Sequence, residues 1–274
     1  MNVLSLFDGI SCGQLALKLN GVDVEEYYAS ELDQLPIKVT MDNFPETIQL
    51  GDITKWKEWS IDWSSIDLLI GGSPCQGFSI CGNRMNFNDP RSALFMEYLN
   101  ILNHIKSLNP SVKFLLENVK MDKECEDKIS ELLGVDSIMI DSQVHSAAMR
   151  KRLYWCNWQV QQPNKEEVYF QDILTDGNVQ KKKSWCLLEA WNRFPVSTDS
   201  AKGRYKRSMM PIVFTSPDFD WDKGWREPNI TECERLQCVP DGYTKAVKPK
   251  AAKGLLGNGW NVKTIRHILK QAEF

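Results

Sequence analysis

The sequence predicts an α/β fold in which a mostly parallel sheet carries helices on both faces. Two observations predict it. Six short runs rich in strand-forming residues recur through the first half of the chain, at residues 3–6, 25–30, 47–50, 67–71, 112–116 and 137–140. Between them, segments such as 13–20 and 92–105 place apolar residues at intervals of three and four, as a helix covering a sheet does.

This alternation of strands and helices stops near residue 157. Residues 158–228 are rich in Trp, Lys, Pro and Asp without sustained periodicity. A helical pattern returns at 231–237, where Thr231 and Glu234 have the spacing of a capping box, and again at 262–272. We therefore predict a main domain of residues 1–157 and 229–274, interrupted by an inserted lobe of residues 158–228. The lobe's tryptophans are expected to form a small core: Trp158, Trp185, Trp191, Trp221 and Trp225.

Composition narrows the class of protein. A mean hydropathy of -0.38 and 25% charged residues over 274 residues are typical of a soluble globular protein, and no apolar run is long enough to cross a membrane. The net charge of -3 hides two basic stretches, at 181–207 and 245–253, which favour a phosphate-binding surface modestly. Because no C-x-x-C pair occurs, we expect no zinc site and no other bound metal.

Three turns after predicted strands suit a nucleoside-containing cofactor, because ligands of open α/β sheets bind at the carboxyl ends of strands. Glu31 follows the second strand and can accept hydrogen bonds from ribose hydroxyls, while Asp52 and Ile53 follow the third and could bracket an adenine. The turn after the first strand contains Phe7, Asp8, Gly9, Ile10, Cys12 and Gly13. A dinucleotide fingerprint, G-x-G-x-x-G, is absent from it.

The stretch GGSPCQGFS follows the strand at 67–71 and places Cys75 after paired glycines and a proline. Such a turn holds the next side chain rigidly, so we interpret Cys75 as a nucleophile rather than a packing residue. Glu117 follows the apolar strand 112–116, where burial can raise the pKa of a carboxyl and make it a proton donor. Arg150 and Arg152 alternate, which predicts that both lie on one face of a strand and meet a carbonyl oxygen or phosphate.

The order of these motifs resembles the cytosine C5 DNA methyltransferases over nearly the whole chain. FDGISCG resembles the family's first cofactor motif, SPCQGFS its nucleophile loop, ENV its acid motif, RKR its paired arginines, and GNGW its last cofactor motif. Arg226-Glu227-Pro228 and residues 231–240 resemble the motif that closes the core. SAAMRKRLYW and LLGNGWNVKTIRHIL are similar to the catalytic domain of eukaryotic de novo DNA methyltransferases, whereas Gln76 and the loop after it resemble bacterial enzymes. Ala148 stands where the family often has Gln.

This resemblance implies a Rossmann-like fold with a seven-stranded sheet, and transfer of a methyl group from S-adenosyl-L-methionine to C5 of a flipped cytosine in double-stranded DNA, leaving S-adenosyl-L-homocysteine. Cys75, Glu117, Arg150 and Arg152 would be the catalytic residues. Further cofactor contacts would come from Leu32, Pro74, Leu94, Asn258, Gly259 and Trp260. Ile80 or Cys81 would fill the space that the flipped base leaves. A cytoplasmic bacterial or phage enzyme is expected, or a nuclear one in a eukaryote, with self-association and no membrane partner.

Three other functions remain open at this point. A tRNA cytosine C5-methyltransferase would share nearly every motif. A non-catalytic regulator could retain the fold, although intact Cys75, Glu117, Arg150 and Arg152 weigh against it. A dinucleotide-dependent oxidoreductase is disfavoured by the missing G-x-G-x-x-G pattern.

Overall fold

The computed structural model describes residues 1–73, 90–189 and 197–274, without the side chains of residues 90–92. The predicted site residues Pro74 and Cys75, the predicted loop-tip residues Ile80 and Cys81, and Trp191 lie outside the described residues.

Seven strands form the main sheet: β1 (Asn2–Leu6), β2 (Glu26–Ser30), β3 (Ile48–Gln49), β4 (Ile66–Gly71), β5 (Lys113–Val119), β6 (Ser137–Asp141) and β7 (Lys151–Cys156). Their order across the sheet is β3-β2-β1-β4-β5-β7-β6. The pairs β2–β3, β1–β2, β1–β4 and β4–β5 are parallel, whereas β7 runs antiparallel to β5. The predicted mostly parallel seven-stranded sheet is confirmed.

The described residues also contain eight α-helices and a two-stranded antiparallel sheet. The helices are α1 (Cys12–Leu19), α2 (Gln34–Asn43), α3 (Pro90–Leu108), α4 (Lys123–Leu133), α5 (Thr198–Lys206), α6 (Ile230–Leu236), α7 (Pro249–Asn258) and α8 (Val262–Lys270). The small sheet pairs β8 (Val213–Phe214) with β9 (Trp225–Arg226). Across the described residues, no helix is both long and apolar enough to cross a membrane.

The chain divides into two compact units. Unit 1 consists of Met1–Ile140, Lys151–Gln162 and Arg266–Phe274, and unit 2 of Asp141–Arg150 and Pro163–Ile265. This division differs from the predicted one, because unit 2 contains residues 141–150 and 229–265 in addition to most of the predicted lobe. The functional division into a catalytic domain and a recognition lobe stays a prediction.

Unit 1 is built around an apolar cluster on its sheet. The inner strands β4 and β5 contribute Leu69, Phe114 and Leu116, each with no exposed surface, and Tyr98 of α3 packs in the same cluster. Strands covered on both faces need near-continuous apolar runs, which explains the sequences of β4 and β5. Asp67, the polar exception in β4, accepts a hydrogen bond from the Asn2 amide at the sheet's amino end (2.8 Å).

Unit 2 has its own small core, made of Ala201, Met210, Ile212 and Phe214. Trp221 and Trp225 pack against this core, and Trp185 meets the ring of Tyr205 edge-on with 5.0 Å between ring centroids. These three tryptophans therefore have the packing role predicted for them. Trp158 belongs to unit 1 instead, where its indole nitrogen donates to the Ile268 carbonyl (3.2 Å).

The predicted capping box of α6 is wrong by two residues. Asn229 is the N-cap: its side chain accepts from the Glu232 amide (3.0 Å), and the Glu232 carboxylate accepts from the Asn229 amide (2.9 Å). Glu234, the predicted partner of Thr231, instead accepts from the Gly242 amide and from the amide and hydroxyl of Thr244. Asn229 with Glu232 and Thr231 with Glu234 have the same spacing, so the sequence pattern does not distinguish them. The tertiary hydrogen bonds of Glu234 decide which pair forms the capping box.

Candidate active site

The turn after β1 has an unusual backbone. Phe7, Gly9 and Ser11 have φ values of 57°, 61° and 54°, in the left-handed region that costs a residue with a Cβ about 1–2 kcal/mol. Hydrogen bonds hold this path in place. The Gly9 amide donates to Glu31 Oε2 (2.9 Å), and the Thr40 hydroxyl lies 3.3 Å from the Gly9 carbonyl and 3.1 Å from Ser11 Oγ. Side chains of β2's end and of α2 therefore support the strained turn.

Asp8 lies half-buried within this turn. The Tyr27 hydroxyl donates to its Oδ1 (2.9 Å), and the Ser11 hydroxyl donates to its Oδ2. Burial raises the pKa of Asp8 to about 6, although the hydroxyls of Ser11, Ser5 and Tyr27 oppose the shift, and the nearby Glu31 adds to it. A carboxyl held by neutral donors thus lies within the turn predicted to bind a cofactor.

The turns after β2 and β3 place the other predicted cofactor residues of unit 1. Glu31 accepts from the Gly9, Leu32 and Asp33 amides, which fixes its carboxylate, and the Leu32 side chain is 65% exposed. Asp52 caps the 3-10 helix Ile53–Glu58 through the Thr54 amide (2.9 Å), and hydrogen bonds from Thr54 lower the pKa of Asp52. Ile53 is 3% exposed and packs in the core, so its side chain is not open to a ligand.

Several remaining predicted cofactor residues are also packed inward. Ile10 and Cys12 are 2% and 3% exposed, Gly13 is buried, and Leu94 is half-buried against the core of unit 1. In unit 2, Asn258 is exposed and ends α7, whereas Gly259 and Trp260 are half-buried.

Glu117 and Arg152 form a buried ion pair between β5 and β7. Arg152 Nε lies 2.9 Å from Glu117 Oε1, and their side chains are 15% and 10% exposed. The register places Glu117 opposite Tyr154 and Val119 opposite Arg152, so the pair is diagonal on one face of the sheet. Glu117 therefore lies within β5 rather than after it, because pairing with β7 continues to Val119. The structure brings these two predicted catalytic residues together.

Asn118 connects β5 with the end of β4. It is 2% exposed, and its side-chain amide donates to the carbonyl (3.1 Å) and hydroxyl (3.2 Å) of Ser73, which is 5% exposed. Ser73 stands two residues before Cys75 in the sequence. The neighbouring Gly71 is also closely packed, since a Cβ there would meet the Leu6 carbonyl oxygen and the Tyr98 ring at 3.0 Å.

Arg150 does not share a strand face with Arg152, and that prediction is wrong. Arg150 precedes β7 and belongs to unit 2, and its 5% exposed side chain hydrogen-bonds to backbone carbonyls there. The alternation of two arginines indicated a common face only if both lay in one strand.

Sequence reasoning did not single out Tyr27, Thr40 or Gln237, and named Asn118 only as part of its motif. All four are nearly buried polar residues with side-chain hydrogen bonds. Nothing in a single sequence separates such residues from ordinary core or surface positions. Among the residues that the structure describes, no cluster of three or more His, Cys, Asp or Glu side chains could hold a metal ion.

Comparisons with known proteins show which family the chain resembles. The family model described as C-5 cytosine-specific DNA methylase matches residues 1–131. The type II methyltransferase M1.ScrFI of Lactococcus lactis subsp. cremoris is 34% identical over 312 residues, covering 98% of this chain and 77% of that protein. The orphan methyltransferases M.Rho11sI of Bacillus phage rho11s and M.SPRI of Bacillus phage SPR are 39% and 38% identical over 122 residues, which is 44% of this chain. The match spans 23% and 26% of those two phage proteins.

Solved structures share the fold at lower identity. Dnmt2 methyltransferase of S. pombe superposes with a TM-score of 0.71 at 18% identity, covering 98% of this chain and 97% of its own. The Entamoeba histolytica methyltransferase EhMeth superposes with a TM-score of 0.72 at 16% identity, covering 99% and 97%. The relative from Lactococcus lactis, matched over most of both chains, and the family model decide the assignment: the chain belongs to the family of C-5 cytosine-specific DNA methylases.

Proposed function

We propose that the chain is a DNA (cytosine-5-)-methyltransferase that methylates C5 of cytosine in double-stranded DNA through a covalent adduct with Cys75. The observation that carries the proposal is the buried Glu117–Arg152 pair, on a strand that Asn118 ties to Ser73. This pair supports the proposal because it places an acid and a cation on β5 and β7, and Asn118 of β5 also binds Ser73, which follows β4. The nucleophile itself lies outside the described residues.

The turns of unit 1 fit a nucleoside cofactor with an amino acid tail. Gly9 leaves open space, since a Cβ there would meet no atom within 4 Å, and Leu32 presents an exposed apolar surface beside the fixed carboxylate of Glu31. Glu31 would accept from the ribose hydroxyls, Asp52 and Leu32 would flank the adenine, and the β1 turn would receive the tail. When bound, S-adenosylmethionine supplies the methyl group that C5 accepts, and S-adenosylhomocysteine is the product.

The chain's own residues would supply the rest of the chemistry. The Cys75 thiolate attacks C6 of cytosine and forms a carbon–sulfur bond, while Glu117 holds a proton at N3. Electron density then collects at C5, which becomes nucleophilic. After methylation, loss of the C5 proton to a base expels Cys75, whose sulfur recovers the bonding electron pair. Arg152 would orient Glu117 and contact the base oxygen.

The reaction requires the target cytosine to leave the base stack, because a stacked base cannot be reached by a thiol within a folded domain. Unit 2 carries exposed lysines and arginines between residues 181 and 207 that suit phosphate contacts. We therefore propose duplex DNA as the partner, in agreement with the DNA methylase family to which the chain belongs.

Bisulfite sequencing of plasmid DNA from cells expressing wild-type protein and Cys75→Ser tests this proposal. We expect 5-methylcytosine at a defined site with the wild-type protein and none with Cys75→Ser. Cys238→Ser is a matched control, because Cys238 is a half-buried thiol that accepts from Asn261 and has no part in the mechanism. It should retain methylation.

A second assay separates DNA from RNA. Purified protein is incubated with labelled S-adenosylmethionine and either duplex DNA or tRNA. Label in DNA alone supports the proposal, whereas label in tRNA alone would show that the substrate is tRNA rather than DNA. A folded wild-type protein that labels neither contradicts the activity, and methylation by Cys75→Ser contradicts the covalent adduct.

A further inference from the structure

Arg150 and Gln237 converge on one turn of unit 2, at the end of α7. Arg150 Nη1 lies 3.2 Å from the Gly257 carbonyl oxygen, and Nη2 lies 2.7 Å from that of Gly259. Gln237 Nε2 donates to the Leu256 carbonyl (2.6 Å) and lies 3.4 Å from that of Gly259. Two buried side chains thus hold three backbone carbonyls, those of Leu256, Gly257 and Gly259, on either side of Asn258.

The end of a helix explains why donors are needed there. The last four carbonyls of a helix lack intrahelical partners, and a positive charge is favourable beside them. The Gly259 amide donates to the Leu255 carbonyl (2.8 Å). The next two carbonyls, of Leu256 and Gly257, accept from the side chains of Gln237 and Arg150 instead. A guanidinium can reach two carbonyls at once because its donors form a planar fork, which a lysine cannot reproduce.

The same guanidinium also fixes the segment that packs against this turn. Arg150 Nη1 lies 3.3 Å from Cys186 Sγ and 3.4 Å from the Leu187 carbonyl oxygen. A Cβ at Gly257 would stand 2.5 Å from the backbone of Leu188 and Glu189, so only glycine allows the two segments to approach. The Arg150 backbone is itself held, since its amide donates to Asp141 Oδ1 (3.0 Å) and its carbonyl accepts from the Ser142 amide (3.1 Å).

We propose that Arg150 and Gln237 are positioning residues that shape the turn Gly257-Asn258-Gly259-Trp260 for the cofactor, and that Arg150 does not contact the target cytosine. This inference rests on the proposed function, because that turn resembles the family's last cofactor motif. It separates the two arginines of the RKR motif: Arg152 acts beside Glu117, and Arg150 acts through the backbone of the cofactor turn.

Calorimetric titration with S-adenosylhomocysteine, combined with steady-state kinetics, tests the inference. Arg150→Lys should weaken S-adenosylhomocysteine binding about tenfold or more, the effect of losing a charge-assisted hydrogen bond. It should raise KM for S-adenosylmethionine by a similar factor, with kcat at saturating cofactor nearly unchanged. Arg152→Lys should instead lower kcat and leave the affinity for S-adenosylhomocysteine unchanged. Lys270→Ala removes an exposed positive charge and should change neither.

Gln237→Met is a second test of the same turn, which keeps the inference testable if Arg150→Lys does not fold. It removes the donor to Leu256 and Gly259 together with Oε1, a buried oxygen that has no hydrogen-bond partner among the described residues. Several-fold weaker S-adenosylhomocysteine binding with retained kcat is expected. Wild-type affinity in either folded variant, or a loss of kcat in Arg150→Lys at unchanged affinity, overturns the inference. Failure of the wild-type protein itself to bind S-adenosylhomocysteine would instead contradict the proposed function.

Discussion

Two carboxyl groups, one in each unit, have pKa values that shift in opposite directions. Asp8 is half-buried in the β1 turn of unit 1, and Glu232 is buried in the first turn of α6 in unit 2. Burial raises the pKa of Asp8 to about 6, since the neutral hydroxyls of Ser11, Ser5 and Tyr27 lower it too little to offset the lost hydration. Burial would also raise the pKa of Glu232, but hydrogen bonds from Arg226, Thr175 and Asn229 outweigh it and lower the pKa.

The difference shows what a cation contributes. Arg226 binds both Glu232 oxygens at 2.7 Å, and this bidentate geometry offsets the loss of hydration of a carboxylate with no exposed surface. The donors that Asp8 has among the described residues are hydroxyls, and Glu31 adds repulsion. Unit 2 thus uses a carboxylate as a structural centre, whereas unit 1 keeps one with a raised pKa within the proposed cofactor turn.

The largest expected effect is on unit 2. Glu232→Ala leaves the Arg226 guanidinium and the amides of Thr175 and Asn229 without their acceptor, so we expect a loss of about 3–5 kcal/mol in the free energy of unfolding. Urea denaturation at pH 7 measures it. Asp176→Asn is the matched control, because Asp176 binds the same arginine with a 73% exposed side chain and should cost under about 1 kcal/mol. Equal, small losses would contradict the central role of Glu232.

A smaller effect is expected at Asp8, and it depends on pH. A folded-state pKa of about 6 against an ordinary 3.8 means that the stabilisation associated with protonated Asp8 is complete below about pH 3.8 and is lost as pH rises through about 6. Asp8→Asn cannot ionise, so the variant does not undergo this loss of stability as pH rises. Between pH 4.5 and 7.5, its stability relative to wild type should therefore rise by on the order of 2 kcal/mol, in urea titrations at each pH.

Glu232→Gln should respond in the opposite sense. Its lowered pKa means that the ionised carboxylate stabilises the fold above about pH 4.5, and this contribution is lost as pH falls through the folded-state pKa. The cost of Glu232→Gln should therefore shrink in acid. A parallel pH response of the two variants would remove the contrast between the two carboxylates.

The smallest effect distinguishes the two capping boxes of α6. Asn229→Ala should cost about 1 kcal/mol in the free energy of unfolding, because it removes the acceptor of the Glu232 amide. Thr231→Ala should cost clearly less, since Thr231 lies inside the helix. Thermal or urea unfolding of the two variants compares them directly. A larger loss for Thr231→Ala would restore the capping box predicted from the sequence.

Much of the fold was predictable because its signals are local. The strands from β1 to β6 lie within a few residues of their predicted ranges, since apolar runs between glycine and proline turns report burial inside a sheet. The antiparallel direction of β7 and the continuation of β5 through Glu117 were not predictable, because both depend on pairing between segments more than thirty residues apart.

Part of the candidate site was also readable. Glu31 follows β2 as predicted, and the structure joins Glu117, which lies within β5, to Arg152 of β7, while their catalytic roles stay predictions. The supporting residues Tyr27, Thr40 and Gln237 were not, because a hydroxyl or amide in the sequence carries no sign of the distant backbone atom or side chain that it will meet.

By itself, the sequence determined the fold class, the order of the motifs and the family, all of which follow from periodicity and from residue types at short spacings. Only the tertiary structure decided that Arg150 and Arg152, two residues apart, face different partners: carbonyls of unit 2 for one, and the Glu117 carboxylate for the other. The physical reason is that β7 begins between them at Lys151, where strand pairing starts and the alternation of side chains takes effect.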